Sequence, residues 1–184
     1  MGVDRRWFRR TIVAVAASAG ILLAAGAKLR AQSSGDFLPR FAIIEIMDSI
    51  VMPSAQVVWD AVAYEVSAEG EKVTGPETDE DWQRLRWSAV DLAESANLLM
   101  VPGRAVNLPG AVAGEGELAP DEIANLIEKQ RPAWVGYAHV LHEAAMEAVR
   151  AIDAKDPEAV SNAGGTIDAA CESCHRQFWY PDQQ

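Results

Sequence analysis

Cysteine is scarce: the 184 residues hold two, Cys171 and Cys174, which excludes a multi-disulfide scaffold. Positive charge is scarce too. Lys and Arg number 16 against 27 Asp and Glu, for a net charge of −11. A general nucleic-acid binder needs a cationic surface to meet phosphates, so that class is excluded. Asn-Gly and Asp-Gly pairs are absent, and no stretch sustains apolar–polar alternation, so hairpin signals are missing. No internal repeat and no low-complexity domain occur. What remains is ordinary globular content, 49% apolar and 23% charged, enough to build a core. The length suits one domain plus an extra segment, or at most two small domains.

The charge is unevenly placed. Residues 1–27 carry Arg5, Arg6, Arg9 and Arg10 against Asp4, leaving the remainder at −14. Residues 11–27 are uncharged, and Ala25-Gly26-Ala27 offers small side chains at the two places an export peptidase reads. Basic, apolar and small-residue regions in this order are a secretory signal. Cleavage after Ala27 leaves 157 residues. The alternative is a retained anchor, since the apolar run lies at the lower edge for spanning a bilayer. In that case alone the protein meets the membrane. Residues 28–36 read as a short linker, and 37–184 as the folded domain. A basic start before an acidic domain points to a bacterial cell envelope, the periplasm.

Beyond the linker the pattern is helical. Trp82, Leu85, Ala89, Leu92, Ala96 and Leu99 recur at alternating spacings of three and four. Trp134, Tyr137, Leu141, Ala144 and Ala148 do so as well, and so do Val160, Gly164, Ile167, Cys171, Cys174 and Phe178. Such spacing places each set on one helix face. Punctuation predicts four helical regions. The first runs from about Phe37 to Ser67, kinked or split by Pro53. After a loop over 69–77, Thr78 and Asp81 form a capping box that opens the second, to about Met100. A long Pro/Gly-rich loop follows over 102–119. Pro120 opens the third, which Pro132 disturbs before it runs on to about Ala154. Asp156-Pro157 caps the fourth, which stops before Pro181. The expected fold class is all-α, a four-helix up-down bundle.

Cys171-Glu172-Ser173-Cys174-His175 is the C-x-x-C-H attachment signature of c-type haem. Two thiols three residues apart share a helix face and can add to the two vinyl groups of one macrocycle edge. The adjacent His175 then reaches the iron as proximal ligand. Other uses of the motif fit less well. Thioredoxin-like chemistry expects a βαβ setting. A structural zinc site needs two further ligands, and the other histidines are only His139 and His142. A simple disulfide is the remaining alternative.

These residues, the export signal and the four helical regions together resemble class II c-type cytochromes, the cytochrome c-prime group. The motif near the C-terminus and Phe178 three residues past the histidine carry the likeness, over about residues 37–180. The long 102–119 stretch departs from a tight bundle. The resemblance implies a four-helix bundle with one covalent haem c at its C-terminal end. It also implies electron transfer, or binding of NO or CO at a five-coordinate iron. We read the chain as an electron carrier rather than an enzyme, with gas binding as the alternative.

In the group, the residue opposite the histidine comes from the first helix, which here holds Met47 and Met52. Met47 is the expected distal ligand. It shares a face with Ile43, Ile50 and Val51, and antiparallel first and fourth helices set it near the height of His175. Met52 abuts Pro53. His139, His142, Met100 and Met146 are rivals, for which core or surface roles are the ordinary reading. Tryptophans 59, 82, 87, 134 and 179 either wall the haem or simply fill the core. The acidic surface suits docking to a basic redox partner. A homodimer through the first two helices is a further expectation from the resemblance.

Overall fold

A computed structural model of the chain describes residues 37–68 and 70–181. The chain divides into two units, Met1–Leu38 and Pro39–Gln184. Of the first, only Phe37 and Leu38 are described, both exposed. The expected export segment 1–27 and linker 28–36 lie outside the described residues. Among the described residues no helix is long and apolar enough to cross a membrane.

The second unit is mostly helical. Residues 43–59 form one unbroken helical stretch of three pieces: α1 (Ile43–Ile46), a π-helical turn (Met47–Val51) and α2 (Met52–Trp59). Pro53 explains the change of register. It has no N–H for the carbonyl of Ser49, and its ring crowds that oxygen. Widening the preceding turn relieves the crowding, and the Met52 N–H donates to the Met47 carbonyl five residues back. The expected kink is therefore a wide turn inside a continuous helix.

That helix ends at Trp59, well short of Ser67. The next residues pair as an antiparallel hairpin, β1 (Ala63–Ser67) with β2 (Gly70–Thr74), Tyr64 lying opposite Val73. The hairpin corrects both the long first helix and the loop expected over 69–77. Its Tyr, Val and Thr residues favour extended backbone. All of β1 is exposed, so no buried alternation marks it in the sequence. Gly70 has φ of +120°, a conformation that a Cβ would strain.

The later helices follow their caps. Thr78 and Asp81 close a reciprocal capping box on α3 (Asp79–Leu99), with Asp81 N–H to Thr78 Oγ1 at 3.1 Å. The acids of its first turn also suit the positive end of the helix dipole. Helix α4 (Pro120–Lys129) stops at Gln130, and α5 (Arg131–Asp153) begins anew with Pro132 in its first turn. The third region is thus interrupted just before Pro132, as expected, and in the first turn of α5 the missing N–H costs nothing. Asp156 accepts from Ala159 N–H at 3.1 Å and caps α6 (Pro157–Phe178).

The apolar stripes face inward. Trp82, Leu85, Ala89, Leu92, Ala96 and Leu99 of α3 are all buried, as are Trp134, Leu141, Ala144 and Ala148 of α5. Helix α3 packs most extensively on α5, α5 on α6, and α2 touches both α3 and α6. The stretch after α3 is tied at both ends. Ala105 and Val106 carbonyls receive the Ile43 and Ile44 N–H groups at 2.8 and 3.1 Å, satisfying donors that a helix start leaves open. At the far end Leu118 N–H donates to the Trp179 carbonyl at 2.8 Å.

Candidate functional site

A cavity of about 260 Å³ lies between these elements, lined mainly by carbon. It far exceeds the ~30 Å³ share of one water. Helix α6 supplies one wall: Ala170, Cys171, Cys174 and His175, followed by Trp179 and Tyr180. The stretch 43–59 supplies another, with Ile44, Met47, Asp48, Val51, Met52, Ala55 and Trp59. Helix α5 contributes Trp134, Tyr137, Ala138 and Leu141. Leu99 and the loop residue Glu117 complete the lining.

The π-helical turn shapes the second wall. In a regular α-helix each residue turns about 100°, so residues five apart point roughly 140° away from each other. The bond from Met52 N–H to the Met47 carbonyl instead stacks these two residues one wide turn apart. Both thioether side chains consequently line the cavity. Met47 is partly buried and Met52 is 51% exposed. The expected partners of Met47 split: Val51 lines the cavity with it, while Ile43 is buried in the core.

Cys171 and Cys174 are free and partly buried. Burial pushes the Cys171 thiol up to about 11, with Asp168 adding to it. Burial pushes Cys174 to about 12, with Cys171 adding to it. Both are therefore thiols at neutral pH, unlike the low-pKa thiolate of a redox C-x-x-C pair. Burial lowers the proton affinity of His175, against the opposing charges of Glu172 and Glu117. A neutral imidazole keeps a lone pair for a metal. Its ring centroid lies 6.2 Å from that of Trp179 and 6.0 Å from that of Tyr180.

Hydrogen bonds and rings brace these groups. Trp134 Nε1–H donates to the Leu99 carbonyl at 2.9 Å, and its ring meets the Phe178 ring edge-on at 5.2 Å. Trp59 Nε1–H donates to the Gly164 carbonyl at 2.9 Å. Tyr180 OH donates to Glu172 Oε2 and Arg176 Nε to Glu172 Oε1, each at 2.7 Å.

The cavity thus gathers Cys171, Cys174, His175, Met47 and Met52. It leaves out other residues singled out in the sequence. His139 is exposed, and His142 is half-buried with its Nδ1 3.4 Å from Glu143 Oε1; neither lines the cavity. Met100 and Met146 do not line it either. Of the tryptophans, 59, 134 and 179 do, Trp82 is buried elsewhere, and Trp87 is exposed. Sequence reasoning missed Tyr180, Asp48 and Glu117. Tyr180 follows Trp179 directly after α6, which was a usable signal; nothing local marks the two acids. Among the described residues no three His, Cys, Asp or Glu side chains gather as a cage for a bare metal ion. No protein-family model, curated protein or solved structure matches the chain.

Proposed function

We propose that the chain is an exported electron-carrying cytochrome of the class II c type, a four-helix up-down bundle with one covalent haem c. One observation carries this reading. Both thiols and the imidazole of the C-x-x-C-H motif line the same apolar cavity as two methionines from the first helical stretch. The donor set fits the group. Cys171 and Cys174 would hold it as thioethers, His175 would ligate the iron, and Met47 would take the opposite position. Bound there, haem supplies a one-electron Fe(III)/Fe(II) couple. The mainly aromatic and aliphatic lining suits the apolar faces of the macrocycle.

Helix heights support Met47. It follows directly on α1, roughly 6 Å into the helical stretch, while His175 sits roughly 4.5 Å before the end of α6, at 1.5 Å per residue. Antiparallel packing of the two would bring both to one level. The contacts of α2 with α3 and α6, of α3 with α5 and of α5 with α6 support the bundle reading. The net charge of −11 suits a basic redox partner, and the export-type start of the sequence a periplasmic setting. A homodimer is part of the same proposal.

Haem staining after denaturing electrophoresis tests covalent attachment. Ferric and ferrous absorption spectra with and without CO then test the carrier role. A low-spin haem closed to CO supports it, whereas a high-spin haem that binds CO supports gas binding. N-terminal sequencing of the exported protein should begin near Lys28; an intact Met1 in the membrane fraction would favour the anchor.

A further inference from the structure

The stretch 102–119 exceeds what a tight connection needs, and electron carriage by itself does not account for its length. Its hydrogen bonds reach both walls of the cavity. Ala105 and Val106 hold the start of α1, and Leu118 holds the Trp179 carbonyl just past α6. The residue before Leu118 is Glu117, which lines the cavity with His175. Its carboxylate is held in place: Gly114 N–H donates to Glu117 Oε2 at 2.9 Å, and Glu117 N–H to the Gly114 carbonyl at 3.2 Å.

Two carboxylates bring their charge to His175, those of Glu172 and Glu117. Glu172 is offset by Arg176 at 2.7 Å and shares the Tyr180 hydroxyl. Among the described residues no cation pairs with Glu117. Asp48 also lines the cavity, on the wall that carries Met47.

We propose that Glu117 is a positioning residue for the haem side that His175 holds, its loop-fixed negative charge lowering the reduction potential. The inference rests on the haem reading above. A nearby anion favours Fe(III) over Fe(II), because the oxidised centre carries one more positive charge. The length of the loop is then explained. It fixes a carboxylate at the imidazole side of the cavity while tying the two walls together.

The experiment measures midpoint potentials of the full haem-loaded chain at low and high ionic strength. Glu117→Gln should raise the potential, and Glu117→Asp should restore most of the difference. Gly114→Ala keeps the charge but moves it, because a Cβ there would meet Glu117 Oε2 at 2.9 Å. It should also raise the potential. Glu115→Gln, also exposed but outside the lining, is the control. Glu117 is exposed, so the shift should shrink as salt rises, which a merely structural effect would not do. Covalent haem with a potential unmoved by Glu117→Gln, or moved equally by Glu115→Gln, overturns the inference alone. No covalent haem in the parent chain overturns the haem reading and this inference with it.

Discussion

Helix α6 and the stretch 43–59 face the same cavity, but α6 stays in one hydrogen-bond register from Pro157 to Phe178, whereas 43–59 passes from α to π and back. On α6 the reactive groups are fixed by ordinary helix spacing, which puts Cys171, Cys174 and His175 on neighbouring positions. On the opposite wall the spacing is abnormal. Pro53 widens a turn, and that turn brings Met52 alongside Met47. The contrast teaches that the spacing of the motif needs only local geometry, while the set of methionines facing it depends on a register that one proline alters. π-Turns inside α-helices are frequent at functional sites, in keeping with this arrangement.

The comparison breaks most completely on the α6 side. Replacing both Cys171 and Cys174 with Ala should abolish haem that survives denaturing electrophoresis. Haem retained through that treatment would rule out the thioethers.

The next largest effect separates the two methionines. Met47→Ala should convert the haem to a high-spin, CO-accessible form with a lowered potential. Met52→Ala should leave the spectrum low-spin, because Met52 is half-exposed beside Pro53. The opposite pattern would transfer the distal role to Met52. An unchanged spectrum in both variants would make the two residues packing alone.

A smaller effect tests the seam where the walls meet. A Cβ on Gly164 would lie 3.2 Å from Trp59 Cδ1, and Trp59 is held by its bond to the same residue's carbonyl. Overpacking typically costs about 1–3 kcal/mol, more than the ~1 kcal/mol gained by replacing a helix glycine. Gly164→Ala should therefore lower the thermal midpoint. Gly165→Ala meets nothing within 4 Å and should raise stability by about 1 kcal/mol. Paired thermal melts check the opposite signs.

The smallest effect lies away from both walls. Lys155 holds the Asp79 carboxyl below its ordinary value, and Thr78 does the same for Asp81. For carboxyls lowered in the folded state, the added stability is complete above the unfolded value near 3.8. It is lost as pH falls through the folded values. Asp79→Asn should flatten the acid limb of the melting profile slightly and leave the haem spectrum untouched. A spectral change would mean that this end of α3 communicates with the cavity.

Much of this architecture was legible residue by residue. Thr78 with Asp81 and Asp156 with Pro157 announced two helix starts, because capping chemistry is local. The stripes through α3, α5 and α6 announced their buried faces, because helix periodicity is local too. The hairpin was not legible. Its first strand is exposed throughout, and the hairpin carries no Asn-Gly or Asp-Gly turn, so neither burial pattern nor turn chemistry advertised it. The interruption ahead of Pro132 was legible as well, because a proline inside a helix loses a backbone bond and crowds the turn before it. Only the end of α4 at Gln130 shows that the proline also opens a new helix.

The sequence by itself determined the placing of Cys171, Cys174 and His175 on one regular helix, α6. C-x-x-C-H spacing, helix propensity and caps act within a few residues, so no fold is needed to read them. Tertiary structure alone decided which distant groups share the cavity with that motif. The Met52 side chain joins Met47 there because the turn before Pro53 widens. His139 and His142 stay outside because α5 turns Tyr137, Ala138 and Leu141 inward instead. Glu117 lines the same cavity as His175 because backbone bonds at both ends of a long loop carry it there. These placements depend on contacts between residues far apart in the chain, and such contacts leave no local mark.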